Sequence, residues 1–299
     1  LFKKGEWLEY QVSAKEQGNS LEDVLKLILH ISGRMIQKLT RENGLQVNGK
    51  KSFLAYQVKT SDRVQVKVFK KENYGVEPEL LPLEILYEDD HVLVINKAYG
   101  IAVHPTEPHH KRTLANAIAY YYQTIGLQAK VNHVHRLDKD TSGAILIAKH
   151  SLAHSILDEQ LRNREIKREY YAIVAGTPTN LSGTIDLPIG RDRHHATRRR
   201  VSTSGDQAVT HYEVVESFSE ASLLKLKLDT GRTHQIRVHL SHLGHPVYGD
   251  YLYGGPLKGI KRQALHATKL SFKHPFTQEE IEVIAPMPED MKNLIKELK

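Results

Sequence analysis

Apolar residues recur along this chain in two rhythms. Between positions 19 and 44, in NSLEDVLKLILHISGRMIQKLTRENG, Leu21, Val24, Leu25, Ile28 and Leu29 fall three or four residues apart, the spacing of one buried helical face. Asn19 or Ser20 can cap that helix, and Glu22 and Asp23 suit its first turn, where the helix dipole favours acids. A second helix through Met35, Ile36 and Leu39 can start at Ser32 and stop at Gly44. LQVNGK then carries an Asn-Gly turn, and RVQVKVF alternates as a strand.

From Ile85 the rhythm changes. ILYEDDHVLVINK, GAILIAK, REYYAIVAG, QAVTHYEVVESF, SLLKLKLD, LHATKLSF and EIEVIA read as short strands. Helical stretches lie between them, TLANAIAYYYQTIG and SLAHSILDEQLRN, the second with Ser151 as its cap. The strands come in consecutive groups rather than in strict alternation with helices. The expected fold is therefore α+β: a mixed, largely antiparallel sheet with flanking helices, preceded by a small N-terminal α/β module. ENYGVEPELLPLE, with Pro78 and Pro82, breaks both charge and periodicity. The predicted organisation is a module over 1–75, a linker over 76–84 and a larger domain over 85–299.

Charge sharpens that division. The net charge is +7, and residues 1–75 hold 14 Lys and Arg against 8 Asp and Glu, so the rest is nearly neutral. A basic module beside a neutral domain suits a polyanion-binding part joined to a working part. The chain has no cysteine, which removes disulfides, thiolate metal sites and a thiol nucleophile, and fits a reducing, cytoplasmic setting. No apolar run approaches the roughly 20 residues that span a bilayer, and the opening LFKKGEWLEY lacks a signal peptide's apolar core. No membrane partner is expected.

Three stretches carry candidate chemistry. In VNHVHRLDKDTSGAILIAK the apolar run 144–148 predicts a buried strand, which puts His135, Arg136, Asp138 and Thr141 on the loop entering it. Asp138, Asp140, Thr141 and Ser142 could equally serve only the turn's backbone. In LDTGRTHQIRVHLSHLGHPVYGD, Thr233 can cap a helix with Ile236, Leu240 and Leu243 on its apolar face and Arg237 pointing away from it, although THQIRVHL also alternates in part like a strand. REYYAIVAG is an alternating strand that presents Tyr170, Ala172 and Val174 on one face. A tyrosine there is most often core.

SGRMIQKLTRENGLQVNGK resembles the S4 RNA-binding module, although Ser20-Leu21-Glu22 stands where that pattern often has an arginine. The resemblance implies RNA contact through Arg34, Lys38, Arg41, Lys50 and Lys51. The three later stretches together resemble the RluA-type RNA pseudouridine synthases, on HRLD (135–138) with TSG (141–143), GRTHQIRVHL (231–240) with GHPVYGD (244–250), and INKAYGIAVHP (95–105). In the last, Ala98-Tyr99 replaces the usual Pro-Ala and Ile101 the usual Leu. The resemblance spans residues 84–290.

It implies isomerisation of uridine to pseudouridine in structured RNA, most of all large-subunit ribosomal RNA, with no cofactor, no metal and no obligate protein partner. Asp138 stands at the family's catalytic aspartate, as a nucleophile at C1′ or a base at C2′. Arg237 stands at the arginine that pairs with it, and Tyr170 at the tyrosine that packs on the base. Arg136 stands at the arginine that fills the space left by a flipped base, and Leu265 closes the pocket. His135, Thr141, Arg232, His234 and Gln235 fall in the same motifs as substrate-binding candidates. Arg191, Arg193, Arg198, Arg199 and Arg200 cluster between strands and predict an RNA-facing loop. Two other readings compete: a metal-dependent nuclease using His133, His135 and Asp138, and a non-catalytic RNA-binding or assembly factor.

Overall fold

The computed structural model describes residues 1–107 and 111–299. Its N-terminal unit is an antiparallel sheet of five strands in the order Phe2–Lys4, Trp7–Gln11, Arg63–Lys67, Leu45–Val47, Lys50–Lys51. Asn48 and Gly49 both have positive φ, so the predicted Asn-Gly turn closes a two-residue hairpin between Val47 and Lys50. The helix Gly33–Arg41 starts at Ser32, whose hydroxyl accepts from the Met35 N–H, and it buries Ile36 and Leu39. Its end is made by Asn43, in the left-handed conformation, with the Gly44 N–H returning to the Leu39 carbonyl.

The first helix departs from expectation. Only Leu21–Asp23 is α-helical, and Val24–Ile28 winds as a wider π turn in which the Leu29 N–H reaches the Val24 carbonyl. The wider winding leaves Val24, Leu25, Leu29 and Ile31 all buried and turns Leu27 outward. Apolar spacing alone does not distinguish these windings.

The larger sheet runs in the order Ser182–Asp186, Val209–Ser217, Ala221–Leu228, Lys167–Ala175, Leu265–Lys273, Ser142–Ala148, Val92–Lys97, Ile85–Glu88. Every neighbouring pair in that order is antiparallel except one, where Leu265–Lys273 runs parallel to Ser142–Ala148 through His266↔Ser142 and Ala267↔Gly143. Gly143 makes this crossing possible. Its φ is +115°, and a Cβ there would lie 2.2 Å from the Ala267 carbonyl oxygen. The glycine five residues after Asp138 is thus required by the close approach of two central strands.

The helices Leu114–Thr124 and Ser151–Arg162 form where predicted. The cap of the second is His150, whose Nδ1 accepts from the Ala153 N–H, and Ser151 is the first helical residue. The hairpin Phe2–Lys4/Trp7–Gln11, the strand Ser182–Asp186 and the closing helix Glu289–Leu298 were not marked by the apolar pattern.

Residues 76–84 contain no helix or strand, yet they lie along the larger unit: the Asn116 amide donates to the Glu77 carbonyl and the Glu79 N–H to the Asn116 carbonyl. The two units also touch directly. Phe69 packs edge-on against His150, at 5.0 Å between ring centres, and Lys3 bridges to Asp90 at 3.1 Å. No helix among the described residues is long and apolar enough to cross a membrane.

Candidate active site

The loop 134–141 is held from three sides before it presents anything. Lys97, 1% exposed, donates from Nζ to the carbonyls of Ala98, Ile101 and Lys139, each at 2.9 Å, and so ties the NKAYGI turn to the Asp138 loop. Arg262 donates to the Asp140 carbonyl and Gln263 to the Thr141 hydroxyl. The loop's own turn closes through the Thr141 N–H and the Asp138 carbonyl. A carboxylate on a loop fixed this way loses little freedom when it meets a ligand.

Across from it stands the helix Gln235–His242. Thr233 does not cap it. His234 takes that place with φ +58°, a left-handed conformation that costs a non-glycine residue on the order of 1–3 kcal/mol. The helix reading prevails over the strand, but its expected exposed face does not exist: Gln235 through Leu240 are all buried, whereas Leu243, assigned to the apolar face, is exposed. Arg237 points inward, into polar company.

Arg237 is shared between two carboxylates. Its Nε and Nη2 donate to the two oxygens of Asp250, at 2.6 and 2.9 Å, and its Nη1 donates to Asp138 Oδ2 at 2.9 Å. Burial opposes the guanidinium charge, and the bonds to Asp250 and then Asp138 more than offset it, so the proton is held more tightly than in an ordinary arginine. One guanidinium thus faces two carboxyl groups, with Asp250 taking two of its donors and Asp138 the third. The side chain of Asp138 retains 20% exposure, against 1% for Asp250.

His234 completes this corner. Its Nε2 lies 3.9 Å from Asp138 Oδ2, and its Nδ1 lies 2.9 Å from the Tyr253 hydroxyl. The same hydroxyl accepts from the Arg199 N–H, so Tyr253 ties the His234 ring to the strand Arg199–Val201. Burial pushes His234 below the ordinary histidine value, Asp138 opposing.

These groups border a cavity of about 430 Å³, lined also by Tyr170 and Leu265, both 4% exposed. Burial raises the Tyr170 phenol. Asp138, Tyr170, Arg237, His135, Arg136, Thr141, Arg232, His234, Gln235 and Leu265 all line it, so every predicted catalytic and substrate-binding position converges there. They are not equally available to a ligand. The Gln235 amide accepts from the Thr230 hydroxyl and the Arg232 N–H and donates to Val209 and Thr210, so it braces the wall instead of offering a free contact. His135 Nε2 accepts from the Leu146 N–H, and burial pushes this histidine down to about 3, Arg168 adding to the effect. The Gln235 amide is thus fully engaged, whereas His135 Nδ1 is buried with no partner among the described residues. Arg136, by contrast, is exposed and makes no side-chain bond among the described residues.

The predicted arginine loop is partly a ribbon. Ile189–Arg191 pairs with Arg199–Val201, setting Arg191 opposite Arg199, while Arg193 and Arg198 sit in the exposed connection. It joins the cavity through Tyr253, which receives the Arg199 N–H and lies under the guanidinium groups of Arg198 and Arg237, at 5.6 and 5.0 Å. Arg34, Lys38 and Arg41 are exposed on the helix Gly33–Arg41, and Lys50 and Lys51 are exposed on their strand.

The metal reading finds no support in this arrangement: among the described residues no group of three or more His, Asp or Glu is placed to hold an ion. His133 instead stacks on His104, with ring centres 4.8 Å apart and planes 7° from parallel. Asp250 carries no mark of its role in the sequence, although it ends the GHPVYGD stretch. The same holds for Lys97, Tyr253 and Arg168, the last only two residues before Tyr170.

Known proteins bear on the same residues. Residues 91–242, more than half of the chain, match the family described as RNA pseudouridylate synthase. The chain is 51% identical over 295 residues to a Bacillus subtilis (strain 168) protein named uncharacterized RNA pseudouridine synthase YhcT, covering 98% of each. It is 42% identical over 252 residues to ribosomal large subunit pseudouridine synthase D of Xanthomonas campestris, covering 80% of this chain and 76% of that one. Among solved structures, human RNA pseudouridylate synthase domain containing 1 superposes with a TM-score of 0.60 at 28% identity, over 75% of this chain and 97% of the human one. With the motif residues gathered around one cavity and relatives matching nearly end to end, the chain belongs to the RNA pseudouridine synthase family.

Proposed function

We propose that Asp138 is the catalytic group of this pseudouridine synthase and acts on a uridine flipped out of structured RNA, most of all large-subunit ribosomal RNA. The observation that carries the reading is the Asp138 carboxylate, 2.9 Å from an arginine already clamped by Asp250, at a cavity lined by Tyr170 and Leu265. In the reaction the N1–C1′ bond breaks, C5 bonds to C1′, the C5 hydrogen leaves to water and N1 gains a proton. Asp138 attacks C1′ or takes the C2′ proton, and either role needs a carboxylate held at a fixed place beside the sugar. Attraction to Arg237 at this separation is on the order of 5 kcal/mol before desolvation, at an effective dielectric near 20. Tyr170 packs on the base and Leu265 closes the opposite side.

Flipping a base costs a few kcal/mol, which contacts elsewhere on the RNA must offset. Arg136, exposed beside Asp138, fills the vacated place in the stack. The arginine ribbon and the basic N-terminal unit, which we read as S4-like, hold the flanking RNA through phosphates. The large-subunit target rests on relatives bearing the name ribosomal large subunit pseudouridine synthase D.

The test is tritium release to water from large-subunit, small-subunit and transfer RNA transcripts labelled at uridine C5. Release from the large-subunit transcript alone supports the full reading. Release only from another transcript overturns the assigned substrate, and Asp138→Asn releasing tritium like wild type overturns the assigned residue.

A further inference from the structure

Three arginines are buried among the described residues: Arg168, Arg237 and Arg262, at 8%, 6% and 5% exposure. Two of them close two-point bridges to a carboxylate, Arg237 to Asp250 and Arg262 to Asp290. Arg168 has no such partner among the described residues. Its guanidinium donates once, from Nη2 to the Thr230 carbonyl at 3.3 Å, and its Nε is buried with no acceptor. Glu169, next to it in sequence, is taken by Lys225 and Lys227, and Asp229 on the cavity rim by His211 and, at 3.9 Å, Arg164.

An arginine cannot shed its proton to escape this situation. A buried cation without a counter-charge is costly, and it is retained where an anion arrives from outside. Arg168 lines the same cavity as Tyr170 and Asp138. The room around it is kept by Gly231, where a Cβ would sit 2.7 Å from Arg168 Nη1. A uracil ring offers only neutral carbonyls, which do not balance a full charge, whereas the phosphodiester that must follow a flipped nucleotide does.

We infer that Arg168 is a phosphate subsite: its unpaired edge receives a non-bridging oxygen of the phosphodiester flanking the target nucleotide as the base enters the cavity. This rests on the reading of the cavity as the seat of a flipped uridine. It assigns to Arg168 a positioning role, in which the phosphate fixes how deep the nucleotide sits and so where C1′ lies relative to Asp138.

Two experiments test it. In the first, binding of a large-subunit ribosomal RNA transcript is followed against KCl for wild type, Arg168→Met and Arg168→Lys. Removing one phosphate interaction lowers the slope of log K against log salt by about 0.7–0.9. Arg168→Met is expected to show that drop and Arg168→Lys to keep the wild-type slope, while free Arg168→Met melts no lower than wild type. An unchanged slope in Arg168→Met, or lower melting of both variants with unaltered slopes, makes Arg168 a structural residue and overturns the inference.

The second uses a short synthetic RNA carrying the mapped uridine, with a neutral methylphosphonate at either flanking linkage. One linkage is expected to cost wild type about 10-fold or more in kcat/KM, the scale of one charge-assisted hydrogen bond, and to cost Arg168→Met nothing further. Equal penalties in both proteins overturn the inference. The salt slope is read without turnover, so its outcome is separate from that of the isomerase reading: a slope change without tritium release would leave the subsite standing and the assigned reaction not.

Discussion

Two sets of basic residues in this protein live under opposite conditions. In the cavity, Arg237 is buried, bound at three points and shared between two carboxylates. On the N-terminal unit, Arg34, Lys38, Arg41, Lys50 and Lys51 are all exposed, and none has a salt bridge among the described residues. The first arrangement fixes one geometry, because three directional bonds hold one planar group. The second creates a field that reaches about 8–10 Å through physiological salt and depends little on where any one charge sits. Chemistry on one carbon atom demands the first, and holding a long polyanion is served by the second.

The contrast predicts very different responses to single substitutions. Asp138→Asn keeps shape and removes the charge, and it should lower kcat by about 10³-fold or more while RNA binding stays within a few-fold of wild type. Parallel losses of binding and turnover would erase the distinction between the units. Asp250→Asn leaves Arg237 with one carboxylate instead of two. Asp138 remains as counter-charge but one buried donor of Arg237 loses its acceptor, so a fall in unfolding free energy of about 1–3 kcal/mol is expected, together with a kcat loss that exceeds any change in KM. Denaturant unfolding and steady-state kinetics check both.

Acid should expose the same asymmetry. Burial pushes His91, His133 and His266 down to about 4 and His135 to about 3, and all four belong to the larger unit. Unfolded histidines take up protons near 6.5, so between there and about 4 the unfolded chain binds more protons than the folded one. Stability is complete above about pH 6.5 and falls below it, each such histidine contributing on the order of 1.4 kcal/mol per pH unit. A melting temperature that holds steady from pH 7 to 4.5 would contradict this. The smallest effect belongs to the exposed charges: Arg34→Ala, Lys38→Ala and Arg41→Ala combined should raise KM several-fold, flatten the salt dependence of binding by up to about 0.9 for each phosphate no longer neutralised, and leave kcat unchanged. A fall in kcat would mean that the N-terminal unit shapes the cavity.

Most of the strands and the long helices were legible because one buried face imposes a period of two or of three to four. The π turn at Val24–Ile28 was not, since Leu25 and Leu29 stay buried whether the backbone winds as α or π. Thr233 looked like a cap by residue type, but the chain turns at His234 in a conformation that no spacing rule anticipates. Among the site residues, the motif positions were readable through resemblance, and they line one cavity. Asp250 and Lys97 were not, because their function is to hold other groups: a bidentate bridge to Arg237 and three bonds to carbonyls leave no mark in composition or periodicity. Arg168 was hidden for the opposite reason, since what sets it apart is a missing partner.

The most direct test of the account is single-turnover tritium release from C5-labelled large-subunit ribosomal RNA, with EDTA present, by wild type and Asp138→Asn at concentrations that saturate the RNA. The account predicts release by wild type, no release above background by Asp138→Asn, and equal occupancy of the RNA by both. Release by Asp138→Asn at a rate near that of wild type would contradict it.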